Sequence, residues 1–432
     1  MNHLAEELNN TICKDNANIF KLFSKIGREL YFPRGILFQG AEAKQKAHKF
    51  NATIGIATKN GIPMHLQEIY KYFKDLEPQE LFNYAPASGK KELRKLWKEK
   101  MLIDNPSLKN KRISLPIVTN AMTHGLSICA DLFVEEDDII IIPDKFWGNY
   151  KLIFNLRRGG KIIRYPLFKD NKFNIEGLRE KIKDYVDKKK IILIFNFPNN
   201  PAGYSITKQE GDKIRSILLE AARHTRIIII NDDAYFGLFY EPEILKESLF
   251  SYLSNLHENI LAIKLDGVTK EEFLWGFRTG FITFGSKNLT KKSYEALEEK
   301  VMGIIRGTIS NCSMPSQSII EKMLSSDLYR KEQRENFKIL EDRYKKVKEI
   351  LKNPKYSAVW EPYPFNSGYF MCLKLKAINA ETLRKELLNK YGVGIIATSE
   401  DEIRIAFSCV EKESLEEIFE DIYTCILDIK QN

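Results

Sequence analysis

An α/β fold is predicted: a mostly parallel seven-stranded sheet with helices on both faces, joined to a smaller α+β domain. Three observations predict it. Between about residues 90 and 310 short apolar runs alternate with longer amphipathic stretches, the pattern of strands separated by helices. Several runs are apolar at successive positions, as in DDIIIIPD at 137–144, which a strand needs only when both its faces are covered. After about residue 317 the pattern changes to a long charged helix followed by short strands and further helices.

The expected strands, in order, are IVTN at 117–120, DDIIIIPD at 137–144, KIIRYPL at 161–167, IILIFNFP at 191–198, RIIIINDD at 226–233, ILAIKLD at 260–266 and GFITFG at 280–285. Ahead of them, residues 1–50 read as mostly helical, with a turn in YFPRGILFQG at 31–40. Behind them come one long amphipathic helix over 317–355, the stretch PYPFNSGYFMCLKL, a helix from about 380 to 391, the strand EIRIAFS and a last helix from about 412. The expected division is 1–62 as an arm with part of the small domain, 63–325 as the large domain and 326–432 as the small one. No repeat or low-complexity linker interrupts it.

Composition narrows the function. A 432-residue chain with 44% hydrophobic and 11% aromatic residues can bury a large core. The net charge of +9 arises from 67 basic residues interleaved with 58 acidic ones, a solvated surface and not a nucleic-acid stripe. Six scattered cysteines, with no C-x-x-C pair and no neighbouring histidine, suggest reduced thiols and no metal site. The start MNHLAEELNN lacks the basic-then-apolar pattern of a signal peptide, and no apolar run approaches the about 18 residues of a membrane span. A cytoplasmic, membrane-free protein is expected.

In an open α/β sheet ligands bind beyond the carboxyl ends of the strands, and the residues there are informative. The first run leads into NAMTHGLSICADLF, a helix start whose first turn presents free N–H groups that suit a phosphate. The fourth ends in NFPNNPAGY, a rigid turn carrying Asn196, Asn199 and Asn200, with Thr207 and Glu210 at capping-box spacing beyond it. The fifth delivers Asp232, Asp233 and Tyr235; a carboxylate after so apolar a strand is costly unless exposed, paired or bound to a cation. Asp232, three residues from Tyr235, is the better placed to converge with it on one ring. The sixth passes through Thr269 to Lys270, with Arg278 eight residues on. Each of these alone has an ordinary structural explanation, as a turn, a cap or a surface charge.

Taken in this order, the residues resemble fold-type I pyridoxal 5′-phosphate (PLP) aminotransferases of class I, in the style of the aspartate and aromatic amino-acid enzymes, from about residue 50 to 410. The resemblance implies a PLP-dependent transferase fold and transamination between an L-amino acid and a 2-oxo acid such as 2-oxoglutarate. It implies Lys270 as the Schiff-base lysine and proton shuttle, Asp232 as partner of the ring nitrogen, and Asn200 and Tyr235 as donors to the ring oxygen. Trp147 in FWGNY matches the aromatic that stacks on the ring. Met122, Thr123, Thr269 and Arg278 would hold the phosphate, and Arg404 in EIRIAFS would take the substrate α-carboxylate in its fork. Gly55 in TIGIA resembles the loop glycine that closes over substrate. Tyr84 in YAPASG matches a tyrosine that reaches the phosphate of a partner subunit, and Arg306 in IIRGTISN an arginine given across a homodimer to a distal carboxylate; an ordinary surface or interface arginine stays open there.

Two departures accompany the match. Gly267 stands where the family often has serine, leaving Thr269 to supply a hydroxyl, and His124 sits in a turn usually built from small residues, where it reads as structural. Aspartate or glutamate and aromatic donors both stay open. So do a PLP-dependent lyase or decarboxylase on the same scaffold and a non-catalytic regulator of the same fold.

Overall fold

The computed structural model describes residues 2–32 and 35–431, apart from the side chain of Leu37. Pro33 and Arg34, the middle of the turn expected at 31–40, lie outside the described residues. The chain opens with helix α1 (His3–Lys21), whose Asn2 cap accepts from the Leu4 N–H at 2.9 Å, and continues to α2 (Ile36–Lys46). Phe50–Asn51 then pairs in parallel with Val393–Gly394, stitching the early chain to the late one.

Next come α3 (Lys91–Asp104), β1 (Ile117–Thr119), α4 (Ala121–Phe133), β2 (Ile139–Pro143) and β3 (Lys161–Tyr165). They are followed by α5 (Ile175–Asp184), β4 (Lys190–Asn196), α6 (Lys208–Ala221), β5 (Arg226–Asp232), β6 (Ile260–Gly267) and β7 (Gly280–Gly285). All seven expected runs form one seven-stranded sheet of order β1-β7-β6-β5-β4-β2-β3. Only β7 runs antiparallel to its neighbours. Successive side chains of a strand point to opposite faces. One core accordingly takes Ile140, Ile142, Ile192, Ile194 and Ile230, and a second takes Ile139, Ile141, Ile191, Leu193 and Ile229. Covering both faces is the reason those strands are apolar at every position.

Helices α7 (Lys291–Thr308), α8 (Met314–Leu324) and α9 (Leu328–Ile350) follow. The single helix expected over 317–355 is therefore two. The break falls at Ser325–Asp327, where the Ser326 hydroxyl donates to Glu68 at 2.5 Å and accepts from the Leu328 N–H at 3.2 Å. A side chain that caps a new helix competes with continuing the old one. The last part holds β8 (Trp360–Pro362), β9 (Phe370–Leu375), α10 (Ala380–Glu386), β10 (Ile396–Ala397), β11 (Glu402–Ala406) and α11 (Leu415–Gln431). Its strands form an antiparallel sheet of order β8-β9-β11-β10. The helix expected to about 391 is regular only to Glu386; a wider turn over Leu387–Tyr391 ends at Gly392, with φ +68, which glycine adopts without strain. Among the described residues no helix is long and apolar enough to cross a membrane.

Candidate active site

A cavity of about 670 Å³ lies beyond the carboxyl ends of β1, β4, β5 and β6. Four strand-end segments converge there because parallel strands end on the same edge of the sheet.

The first segment starts α4. Ala121 is in the left-handed region at φ +60, and Thr119 Oγ1 donates to its carbonyl at 3.0 Å. The N–H groups of this first turn have no partner one turn back, and Met122 and Thr123 line the cavity. His124 acts in the same turn: its Nδ1 accepts from the Asn120 N–H at 3.1 Å. Burial holds this imidazole below its usual range.

At the end of β4, Asn196 donates to the Asp232 carbonyl at 2.9 Å and accepts from the Asn200 N–H at 2.8 Å. The end of β5 places Asp232 in the cavity wall. Asp233 points away from it into a buried pair with Lys264 at 2.5 Å, as strand alternation requires. Asp232 accepts from the Tyr150 hydroxyl at 2.6 Å and from the Ala234 N–H at 3.2 Å. Burial pushes its carboxyl above the usual carboxylate range, against the pull of the Tyr150 hydroxyl, the Lys270 charge and the Ala234 N–H.

The end of β6 delivers Thr269 and Lys270. Burial pushes the Lys270 amine down to about 8, Arg278 adds to this, and Asp232 opposes it. Its Nζ lies 5.0 Å from the centre of the Tyr235 ring. Tyr369 donates to its carbonyl at 3.0 Å. Behind it, Lys100 meets Glu271 at 2.5 Å, and Gln333 donates to the Glu271 carbonyl at 3.2 Å and to Glu272 at 2.9 Å. The lysine thus projects from an anchored backbone.

From the smaller sheet, β11 brings in Arg404, 2% exposed. Its guanidinium donates to Asn200 Oδ1 at 3.1 Å and to the Thr53 carbonyl at 2.9 Å, and stacks 4.1 Å above the Phe370 ring. Among the described residues its Nε has no partner, so a buried cation keeps a donor free for a ligand.

The residues that line this cavity suit an anionic, ring-bearing cofactor. Among the described residues the buried Thr269 Oγ1 has no hydrogen-bond partner, and an orphan hydroxyl sharing a cavity with the first turn of α4 and with Arg278 is what a phosphate satisfies. Among the described residues no grouping of His, Cys, Asp and Glu is placed to hold a metal.

The profile of the "Aminotransferase class I and II" family matches residues 53–422. The chain belongs to this family. Aspartate aminotransferases of Pyrococcus abyssi and Bacillus subtilis are 28% identical over 223 residues and 30% identical over 210 residues. These alignments cover 51% and 48% of this chain, and it spans about half the length of those relatives, 53% and 50%. An aminotransferase from Anaerococcus prevotii superposes with a TM-score of 0.82 at 23% identity, covering 93% of this chain and 98% of that one. A Pyrococcus horikoshii kynurenine aminotransferase, solved in complex with PMP, superposes at 0.78 with 17% identity, covering 95% and 98%. At such identities the superpositions establish the shared fold.

Of the residues that the family resemblance picks out, Gly55, Met122, Thr123, Trp147, Asn200, Asp232, Tyr235, Thr269, Lys270, Arg278 and Arg404 all line the one cavity. Tyr84 and Arg306 do not. Tyr84 is 89% exposed, and Arg306 lies on the surface with its Nη1 donating to Ser310 at 2.6 Å. The Gly267 departure has a steric cause: a Cβ there would lie 2.7 Å from both Gly280 Cα and the Thr279 carbonyl oxygen. Gly267→Ser is expected to cost about 1–3 kcal/mol through overpacking, read as a lower midpoint of denaturant unfolding.

Sequence reasoning missed Tyr150, Asn196 as a ligand of the Asp232 backbone, and the wall made by Ile36, Gly40, Ala41 and Lys44 of α2. Tyr150 carried a signal in FWGNY, three residues after Trp147. The α2 wall carried none, because its place depends on packing against the smaller sheet.

Proposed function

We propose that this chain is a PLP-dependent aminotransferase that moves the amino group of an L-amino acid, aspartate, glutamate or an aromatic, to a 2-oxo acid such as 2-oxoglutarate. Lys270 carries the proposal: a buried amine pushed down to about 8, sharing one cavity with the buried Asp232 and with Arg404. When bound, PLP supplies an electrophilic carbon for amines and a ring that withdraws electrons from the substrate α-carbon.

Every other task falls to this chain. Lys270 Nζ would hold the cofactor, and the same amine would move the proton of the substrate α-carbon. A lowered amine pKa serves both tasks, because more of the group is neutral at neutral pH. Asp232 would pair with the ring nitrogen and favour its protonated form. Tyr235 and Asn200 would donate to the ring oxygen, and Trp147 would stack on the ring. Thr269, Arg278 and the N–H groups of Met122 and Thr123 would hold the phosphate. Arg404, already aimed by Asn200 and the Thr53 carbonyl, binds the α-carboxylate, and the Gly55 loop closes over the substrate.

Tyr84 takes its role in a homodimer, each subunit completing the other's site, with Arg306 as an interface arginine; the 89% exposure of Tyr84 and 83% of Phe82 support a covered surface there. The division at 62/63 and 325/326 belongs to the same proposal, the pairing of Phe50–Asn51 with Val393–Gly394 supporting a small domain built from both ends of the chain. The cytoplasm, where thiols stay reduced, suits the six free cysteines.

The test is a donor screen with 2-oxoglutarate and PLP-loaded protein, comparing aspartate, tyrosine, phenylalanine, alanine and kynurenine. A new 2-oxo acid together with pyridoxamine phosphate is expected; release of ammonia or carbon dioxide as the main product counts against transfer. Tyr150→Phe removes the hydroxyl from Asp232, which lets burial raise that carboxyl further. Losing a hydrogen bond to a charged group should lower kcat by about 10-fold or more, measured under saturating donor.

A further inference from the structure

Four cations line the cavity among the described residues: Lys44, Lys270, Arg278 and Arg404. The proposed function, on which this inference rests, uses three. Lys44 is unused and exposed, and among the described residues no hydrogen bond or ion pair occupies it. Its neighbour Glu42 is committed elsewhere, to Lys46 at 2.9 Å and Arg384 at 2.9 Å.

Lys44 is held in place by the fold. Ile36, Gly40 and Lys44 stand at i, i+4 and i+8 on α2, one row of a helix face, and all three line the cavity together with Thr53, Ile54 and Gly55. The helix is pinned to the smaller sheet by Gln39, which accepts from the Ala397 N–H at 2.9 Å and donates to the Ala397 carbonyl at 3.1 Å. That sheet also carries Arg404, so the free cation and the α-carboxylate arginine are borne on one body. Apart from Thr53, whose hydroxyl donates to Asn51 at 2.5 Å, this part of the wall is otherwise apolar or bare: Ile36, Gly40, Ala41, Ile54, Ile56 and Phe370.

We propose that Lys44 is a specificity-determining residue that binds the distal carboxylate of an acidic substrate from within the same chain. A transaminase accommodates two substrates in turn in one cavity, and those side chains need not be alike. The apolar wall receives an uncharged side chain, with the flexible lysine stem turned to solvent. The ammonium swings in when the side chain ends in a carboxylate. Arg306, outside the cavity and bonded to Ser310, is not needed for this.

The experiment uses Lys44→Met, Lys44→Arg and Arg306→Met in the full chain, with two readouts. One is the affinity for succinate, a dicarboxylate without an amino group, from the fluorescence of the cavity-lining Trp147 and Trp275. The other is the ratio of kcat/KM for glutamate to that for phenylalanine. Lys44→Met is expected to weaken succinate and to lower the ratio, each by about 3- to 5-fold, and Lys44→Arg to restore most of both. Unchanged values in Lys44→Met, or a loss carried by Arg306→Met alone, overturn the proposal. If the wild-type protein turns over no amino acid, the aminotransferase reading fails while the succinate titration still decides Lys44: weaker binding in Lys44→Met supports it, equal binding overturns it.

Discussion

Lys270→Ala is expected to reduce transamination by about 10⁴-fold or more, the scale of losing an essential acid–base group together with the cofactor anchor. The fold should survive, because the Lys270 backbone is held by other groups: Tyr369 on its carbonyl, and Lys100 and Gln333 on Glu271 and Glu272. The same variant tests the electrostatics without cofactor. The amine lies at about 8 in the folded chain against an ordinary 10.5, so between those values the unfolded chain binds more protons. Stability of the cofactor-free wild type should therefore rise as pH climbs from about 8 to 10.5, and this contribution should vanish in Lys270→Ala. Denaturant midpoints across that range measure it. Full turnover by the alanine variant would remove the basis of the assignment.

Asp232→Ala is expected to lower kcat by about 10²–10³-fold, the usual cost of deleting a preorganised charge from a desolvated site. A second effect separates electrostatics from damage. The Asp232 charge holds the Lys270 amine up against burial, so Asp232→Asn should let that pKa fall further. Only the neutral amine attacks the cofactor, so the rate of PLP uptake should rise with pH, with a midpoint near 8 in the wild type. In Asp232→Asn the midpoint should move to lower pH. A midpoint that stays or moves up would show that the two groups are not coupled as the geometry requires. Stopped-flow absorbance on cofactor-free protein gives the profile.

Both predictions rest on residues whose place in the linear chain is legible, though neither stands out alone. Asp232 follows a wholly apolar strand, where a carboxylate is costly unless exposed, paired or bound to a cation, and Lys270, one lysine among many, gains its standing from following the next strand of the same sheet. Asn200 follows β4, and Arg278 stands just before the antiparallel β7, which starts on the same edge. Arg404 needed the family pattern, since an arginine in a short strand of the smaller sheet has no local mark. Helix ends were less readable: the break at Ser325–Asp327 depends on the Ser326 hydroxyl reaching Glu68, a distant residue that periodicity does not report.

The sequence by itself determined the seven strands, their covering on both faces and the order of chemical groups at their ends, because alternation and strand termini are local properties of the chain. Only the tertiary structure decided which groups meet. It joined Tyr150 to Asp232, Arg404 to Asn200 and Thr53, and Gly267 to Gly280, and it laid the Lys44 face of α2 along the cavity. Those contacts follow from how layers pack across long stretches of chain, where a shift of one helical turn would change every partner while leaving the hydrophobic pattern the same.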